Sequence, residues 1–262
     1  MFLQKVKHKL INICLNNVIV NNFIMIPLGT DNYIIKRNYK WESLKYDSNK
    51  SLQENVGYSH TPQIQESRDK MAAELLQLTE SKLQSHAKVL DIGCGTGLFL
   101  KALNQNKKKY GIDLNAEFLE KALQQNPGAT LFQGDYLKHD FKEKFDFIYS
   151  IGVFMFVVPS KLDDFFKKTA DLLNPGGYIY IQYPQALSIS DIIYQDISYM
   201  RHAPVRIEKV ASKYFTIISN KHAYKDEKVN YYDSKPYYFP GDVSKSKDSN
   251  QNTYVIIAQK KG

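Results

Sequence analysis

Val89-Leu-Asp-Ile-Gly-Cys-Gly-Thr-Gly97 sets three glycines at alternate positions, directly behind a short apolar run and directly ahead of an amphipathic one. A turn of this kind lets backbone approach a ligand closely, and the helix start behind it offers N–H groups. The spacing limits which ligand. A dinucleotide fingerprint counted from Gly93 needs Gly or Ala at its sixth position, where this chain has Leu98. No Lys-Ser/Thr pair follows, so the loop is not of the nucleoside-triphosphate type either.

Working outward, short apolar runs alternate with amphipathic stretches. Strands are predicted at Lys88–Ile92, Lys109–Asp113, Ala129–Gly134, Phe145–Ser150 and Tyr178–Tyr183. Helices are predicted at about Gly97–Asn106, Ala116–Gln125 and Lys161–Leu173, the last stopped by Asn174-Pro175-Gly176-Gly177. A further helix over Gln63–Leu83, with Thr61 as cap and Pro62 in its first turn, precedes them. This rhythm predicts an α/β fold: a doubly wound, mostly parallel sheet with helices on both faces. Beyond Pro184 it breaks. Helix-like stretches around Ile189–Tyr199 and Val205–Lys213 stand where one crossover is expected, so 185–214 reads as an insertion facing the substrate. Phe215–Ala223 and Thr253–Gln259 read as the last two strands, the final one antiparallel, joined by a long loop over 224–252.

Of the 262 residues 43% are hydrophobic and 24% charged, a soluble globular composition. Cys14 and Cys94 are the only cysteines, too few for a disulfide framework or a Cys-rich zinc site, and no metal site is expected. With no clear export signal they point to a reducing, cytoplasmic location. Residues 1–60 read as an N-terminal extension and covering segment, ahead of one domain over 61–262. Lys5, Lys7 and Lys9 precede a run from Leu10 to Leu28 whose polar members are five asparagines, which makes 1–28 a candidate for peripheral membrane contact. The net charge is +8, yet lysines and acids interleave almost throughout, which argues against nucleic acid as a partner.

The loop closely resembles the first motif of the class I S-adenosylmethionine-dependent methyltransferases, an acidic residue followed by Gly-x-Gly-x-Gly. Gly111-Ile-Asp-Leu114, Gly134-Asp-Tyr136, Phe145-Asp-Phe-Ile-Tyr-Ser150 and Leu172-Leu-Asn-Pro-Gly-Gly177 resemble the family's later motifs in the same order. The resemblance covers about residues 70–184 and implies a seven-stranded Rossmann-like methyltransferase sheet with S-adenosyl-L-methionine as cofactor. It implies that Asp113, followed by Leu114, accepts from the ribose hydroxyls. Asp135 would take the adenine amino group, and Tyr136 would flank the ring. Asp91, Gly93, Cys94, Gly95, Gly97 and Ser150 would complete the cofactor site. Carboxylates suit these partners, because ribose diols and an exocyclic amine are donors.

The acceptor follows by exclusion. Enzymes methylating planar nitrogens resemble one another in a Pro-Pro-aromatic motif where this chain has Ser150-Ile-Gly-Val153, and no Pro-Cys nucleophile is present. The expectation is direct SN2-type transfer to an oxygen or nitrogen of a small-molecule or carbohydrate-like acceptor. The alternatives are an RNA or protein methyltransferase, or a non-catalytic S-adenosylmethionine-binding protein. Small-molecule members often carry a His a few residues after the fourth strand, where Phe154-Met-Phe-Val-Val-Pro159 stands here. The catalytic group is therefore unassigned, with His139, Tyr183 and His202 as weak candidates. Asp191, Tyr194, Asp196, Tyr199 and Arg201 are further candidates for acceptor contact or proton removal, and Tyr58 and His60 could close over the cofactor.

Overall fold

The computed structural model describes residues 44–55, 62–184, 202–223 and 253–262. The expectations for 1–28, Tyr58, His60, Thr61, the helix at 189–199 with its polar side chains, Arg201 and the 224–252 loop lie outside the described residues.

Within them, a single turn α1 (Leu52–Asn55) and a long α2 (Pro62–Lys82) lead into β1 (Lys88–Ile92), α3 (Leu98–Ala102), β2 (Lys108–Asp113), α4 (Ala116–Gln125), β3 (Thr130–Gln133) and β4 (Phe145–Ser150). Two 3-10 turns, Phe154–Phe156 and Pro159–Lys161, pass to α5 (Leu162–Leu172), β5 (Leu173–Pro184), α6 (Pro204–Ala211), β6 (Phe215–His222) and β7 (Thr253–Lys260). The strands form one seven-stranded sheet in the order β3-β2-β1-β4-β5-β7-β6. β1 to β5 pair in parallel, and β7 runs antiparallel to both β5 and β6.

Alternation along β1 sends its side chains into two separate cores, as a strand buried on both faces requires. Leu90 and Ile92 join Phe154, Phe165 and Phe166 on the face covered by α5 and α6. Val89 packs with Met71 and Leu75 of α2, Phe99 and Leu100 of α3, and Tyr149 of β4 on the other. Lys107 is buried because its ammonium donates to the carbonyls of Leu83 (3.3 Å) and Gln84 (3.2 Å), taking up acceptors left open beyond the end of α2.

Two elements differ from expectation. α3 is five residues long instead of ten, because Leu103 already has extended backbone and ends the helix before the polar run Asn104-Gln-Asn-Lys107. The Asn-Pro-Gly-Gly turn lies inside β5, not ahead of it. Leu173 pairs with Phe145 and Tyr178 with Phe147, so four residues detour opposite Asp146 alone. Asn174 pins the detour by donating to the Asp146 carboxylate at 2.7 Å, and Gly176 supplies the left-handed φ of 74°.

Residues 44–55 form a strap across the carboxyl edge of β1 and β2. Asn115 Nδ2 donates to the Leu44 carbonyl at 2.6 Å, the Glu117 carboxylate takes the Tyr46 amide and the Lys45 ammonium, and Lys121 lies 5.0 Å from the centre of the Tyr46 ring. Farther along, Thr96 Oγ1 reaches the Leu52 carbonyl at 3.4 Å. The buried Asn55 holds the strap in shape, accepting from the Asp47 amide at 2.7 Å and donating to the Asp47 and Ser51 carbonyls. Replacing Asn55 with Ala opens this turn without touching either core. Trypsin is then expected to cut at the exposed Lys50 several-fold faster while the global melting temperature holds. Equal cutting of both proteins in timed digests would mean that Asn55 does not hold the strap.

Candidate active site

The glycine loop is built against the end of β2. The amides of Gly93 and Cys94 both donate to the Ile112 carbonyl, at 2.7 and 3.1 Å, and the Gly97 amide closes a turn on the Cys94 carbonyl at 2.8 Å. Gly93, Gly95 and Gly97 have φ of 73°, 52° and 79°. At Gly93 a Cβ would strike the Val153 side chain, and at Gly97 it would come within 2.5 Å of Asn126 Nδ2. That Asn126 amide donates to the Gly97 carbonyl at 3.0 Å, so the end of α4 fixes the end of the loop.

The fourth loop amide, that of Gly95, donates to Asp113 Oδ2 at 2.9 Å, and the Asn115 amide donates to Asp113 Oδ1 at 2.9 Å. Four of the loop's N–H groups are thus spent inside the protein, and α3 is too short for a substantial macrodipole. A diphosphate would find few donors here. What remains is acceptor capacity, because a carboxylate offers about four lone-pair sites and Asp113 takes the Gly95 and Asn115 amides, with the Leu114 amide also close enough to act on it. Asp113 is buried, and that burial raises its pKa against the lowering effect of its backbone amides.

Asp91 lies one strand away, in register between Gly111 of β2 and Tyr149 of β4. Burial pushes its carboxyl well up, and the Asp113 charge adds to this. The Tyr149 hydroxyl beside it is also pushed up by burial and by Asp91, although it makes no hydrogen bond of ordinary length. Two buried acids at adjoining strands concentrate negative potential under the loop, which suits a cation and opposes an anion. No loop amide is seen on Asp91 among the described residues; that of Gly95 goes to Asp113 instead.

Cys94 is a spacer. Its Sγ sits 2.7 Å from where a Cβ on Gly111 would be, filling the gap that the glycine leaves beside Asp91. Burial and the two nearby carboxylates raise its thiol well above the ordinary value, so it stays protonated and is no nucleophile. Leu114 follows Asp113 and is half-buried.

The third strand's acid, Asp135, is half-buried at the end of β3, and its Oδ1 accepts from the Leu137 amide at 2.9 Å. Its neighbour does not flank an open cleft as the resemblance implied. Tyr136 is 7% exposed, its ring packs on Phe141 and Phe165, and its hydroxyl shares a hydrogen bond of 2.9 Å with Thr169 of α5. An aromatic core between β3 and α5 has claimed the ring. Ser150 closes β4. It is fully buried, and its hydroxyl donates to the Ile92 carbonyl at 3.2 Å, tying the end of β4 to that of β1.

The three weak catalytic candidates separate clearly. His139 packs its ring on Phe132 and Phe141 beside the edge strand β3, with β2 and β1 between it and β4. Tyr183 lies in the core with its hydroxyl donating to Asn220 Oδ1 at 2.6 Å, and burial raises its pKa far above the ordinary phenol range, which removes it as a base. His202 stands beside the carboxyl end of β5, just beyond Tyr183. Its backbone amide bonds the Pro184 carbonyl, and its Nε2 lies 3.3 Å from the Phe154 carbonyl in the turn after β4. Full burial lowers its pKa to about 4, so the ring is neutral, with a buried Nδ1 that has no partner among the described residues.

Sequence reading missed Asn115, Asn126 and the strap's anchors. Asn115 had a signal, an Asn directly ahead of an amphipathic helix, which is a cap, and its Oδ1 accepts from the Phe118 amide. Asn126 had none beyond its place before Pro127-Gly128.

Comparison with known proteins fits this geometry. Residues 89–177 match the family described as a methyltransferase domain. That stretch is about a third of the chain and holds the glycine loop, Asp113 and Asp135. Over 111 residues it is 32% identical to the malonyl-[acyl-carrier protein] O-methyltransferase of Calditerrivibrio nitroreducens, a stretch covering 42% of this chain and 44% of that one. Over 114 residues it is 27% identical to the dTDP-3-amino-3,4,6-trideoxy-alpha-D-glucopyranose N,N-dimethyltransferase of Streptomyces venezuelae, covering 42% and 48%. The match thus spans about half the length of each curated relative. Among solved structures the N-methyltransferase NodS of Bradyrhizobium japonicum WM9, in complex with S-adenosyl-L-homocysteine, shares the fold at a TM-score of 0.59. Its identity is 14%, and the alignment covers 80% of this chain and 97% of that one. No helix among the described residues is long and apolar enough to cross a membrane.

Two measurements check this description. Gly111→Ala should cost about 1–3 kcal/mol by forcing a methyl onto Cys94, and adding Cys94→Ala should recover part of it; strict additivity in a urea double-mutant cycle would show that the two positions do not share that space. For His202, a native pKa below the unfolded one means that its contribution is full above the unfolded value near 6.5 and is lost as pH falls toward 4. The unfolding free energy of the wild type relative to His202→Gln should therefore drop by at most about 3 kcal/mol between pH 7 and 4. A pH-independent difference would mean that the ring is not held neutral.

Proposed function

We propose that this chain is an S-adenosyl-L-methionine-dependent methyltransferase acting on an oxygen or nitrogen of a small-molecule or carbohydrate-like acceptor. The observation that carries the reading is the Asp113 carboxylate, fixed by the Gly95 and Asn115 amides with acceptor capacity to spare, beside a glycine loop most of whose own donors are used up. That arrangement favours a ligand bringing a diol and a positive charge over one bringing phosphates. In this reading Asp113 holds the ribose hydroxyls and Asp135 takes the adenine amino group. Asp91 and Asp113 together supply the negative potential that suits a sulfonium or ammonium group. Gly93 and Gly97 keep side chains out of the loop's crowded contacts.

When bound, the cofactor supplies a methyl group activated on a sulfonium, and transfer forms one bond to the acceptor heteroatom as the sulfur–carbon bond breaks. The protein's part is alignment and exclusion of water more than acid–base power. The neutral His202, at the edge between β4 and β5, is the remaining candidate to receive the acceptor's proton. The two curated relatives are named for O-methylation of malonyl-[acyl-carrier protein] and N,N-dimethylation of a dTDP-linked amino sugar, the second of which supports a carbohydrate-like acceptor.

Calorimetric titration with S-adenosylhomocysteine tests the cofactor half. Asp113→Asn should weaken binding about 10- to 100-fold, the loss expected when hydrogen bonds to a charged acceptor are removed. Release of S-adenosylhomocysteine from S-adenosylmethionine over a panel of carboxylic acids and amino sugars tests the acceptor half. No binding by the wild type would overturn the reading.

A further inference from the structure

The loop that presents Asp135 is bolted to α5 from two sides, and one bolt is a charged side chain that no motif predicts. Lys168 donates its ammonium to the carbonyls of Leu137 at 3.1 Å and His139 at 2.6 Å. It also lies 5.5 Å from the centre of the Tyr136 ring and 5.7 Å from that of Phe141. The second bolt comes from the next residue, Thr169, through the Tyr136 hydroxyl. Lys168 makes no ion pair with Asp135, although the two charges are close enough to act on one another. Asp135 Oδ1 turns inward to the Leu137 amide, the residue whose carbonyl Lys168 holds, and no described residue bonds its Oδ2.

We propose that Lys168 is a positioning residue for adenine recognition: it locks the 135–139 loop so that the outer oxygen of Asp135 faces the exocyclic amine of the cofactor. The inference rests on the assignment of Asp135 to the adenine amino group made above. Two features favour this role over a purely structural one. A lysine half-buried on a helix already anchored by Thr169 adds little that the fold lacks, because α5 buries Phe165, Phe166 and Ala170 without it. Lys168 spends its donors on backbone carbonyls on either side of Lys138, which fixes the loop's path and leaves Asp135 Oδ2 without a partner among the described residues, as an acceptor for an amine must be.

The test compares S-adenosylhomocysteine with S-inosylhomocysteine, in which the amino group is replaced by a carbonyl that cannot donate. Binding of both is measured calorimetrically to wild type, Asp135→Asn, Lys168→Met and Lys168→Arg, with melting curves for each. Lys168→Met is expected to weaken the adenosyl ligand about 5- to 10-fold, the loss of one well-placed hydrogen bond, and the inosyl ligand by less than about 2-fold. Lys168→Arg should restore discrimination, and melting temperatures should stay close to wild type. If Asp135→Asn abolishes discrimination while Lys168→Met keeps it, the proposal fails and the assignment of Asp135 stands. Equal weakening of both ligands by Lys168→Met would make Lys168 merely structural and overturn the proposal. If Asp135→Asn leaves discrimination intact, the assignment of Asp135 falls and takes the proposal with it.

Discussion

Everything at the carboxyl edge of this sheet depends on where the Asp113 carboxylate points. One oxygen holds the Gly95 amide, so the glycine loop cannot drift from β2; the other holds the Asn115 amide, so the start of α4 is fixed to the same point. Asn115 then caps α4 and ties down Leu44 of the strap, while Asn126 at the far end of α4 reaches back to Gly97. Loop, helix and strap form one closed circuit of hydrogen bonds around a single acid. A buried carboxylate with a raised pKa is costly in an empty site, and the cost is sensible where a ligand brings donors and positive charge.

The alternation of apolar runs showed the layered α/β architecture because parallel strands buried on both faces leave an unmistakable pattern, and the antiparallel last strand followed from two β-rich segments after the crossovers ended. The glycine spacing excluded a phosphate loop for a reason the structure makes explicit, since most of its amides are occupied. Less legible were choices made by packing. Nothing in Gly134-Asp-Tyr136 says whether the tyrosine turns toward a ligand or into the core; that depends on Thr169 and Phe165, some thirty residues later. Ser150 reads as a motif residue and serves as a tie to β1. The length of α3 depended on a backbone turn at Leu103 that its side chain does not advertise.

The described donor-side groups come from β1, β2, β3 and the strap, whereas His202 and the turns after β4 lie across β1 from β2 and β3. The two halves meet at β1 and β4, where Asp91 faces Tyr149 and Ser150 is tied to Ile92. The glycine loop and Asp113 thus lie on one side of that seam and His202 on the other.

The order of the last strands has a consequence for biosynthesis. β7 is inserted between β5 and β6, so the strand made later separates two strands made earlier. Until it arrives, β5 and β6 have no partner in common, and each presents unsatisfied amides and carbonyls along an edge. A ribosome stalled ahead of Thr253 would hold a nascent chain with two sticky borders, exposed for as long as that long-range pairing is delayed. The cell's folding helpers, more than the intrinsic stability of the finished sheet, would then govern how much of this protein accumulates.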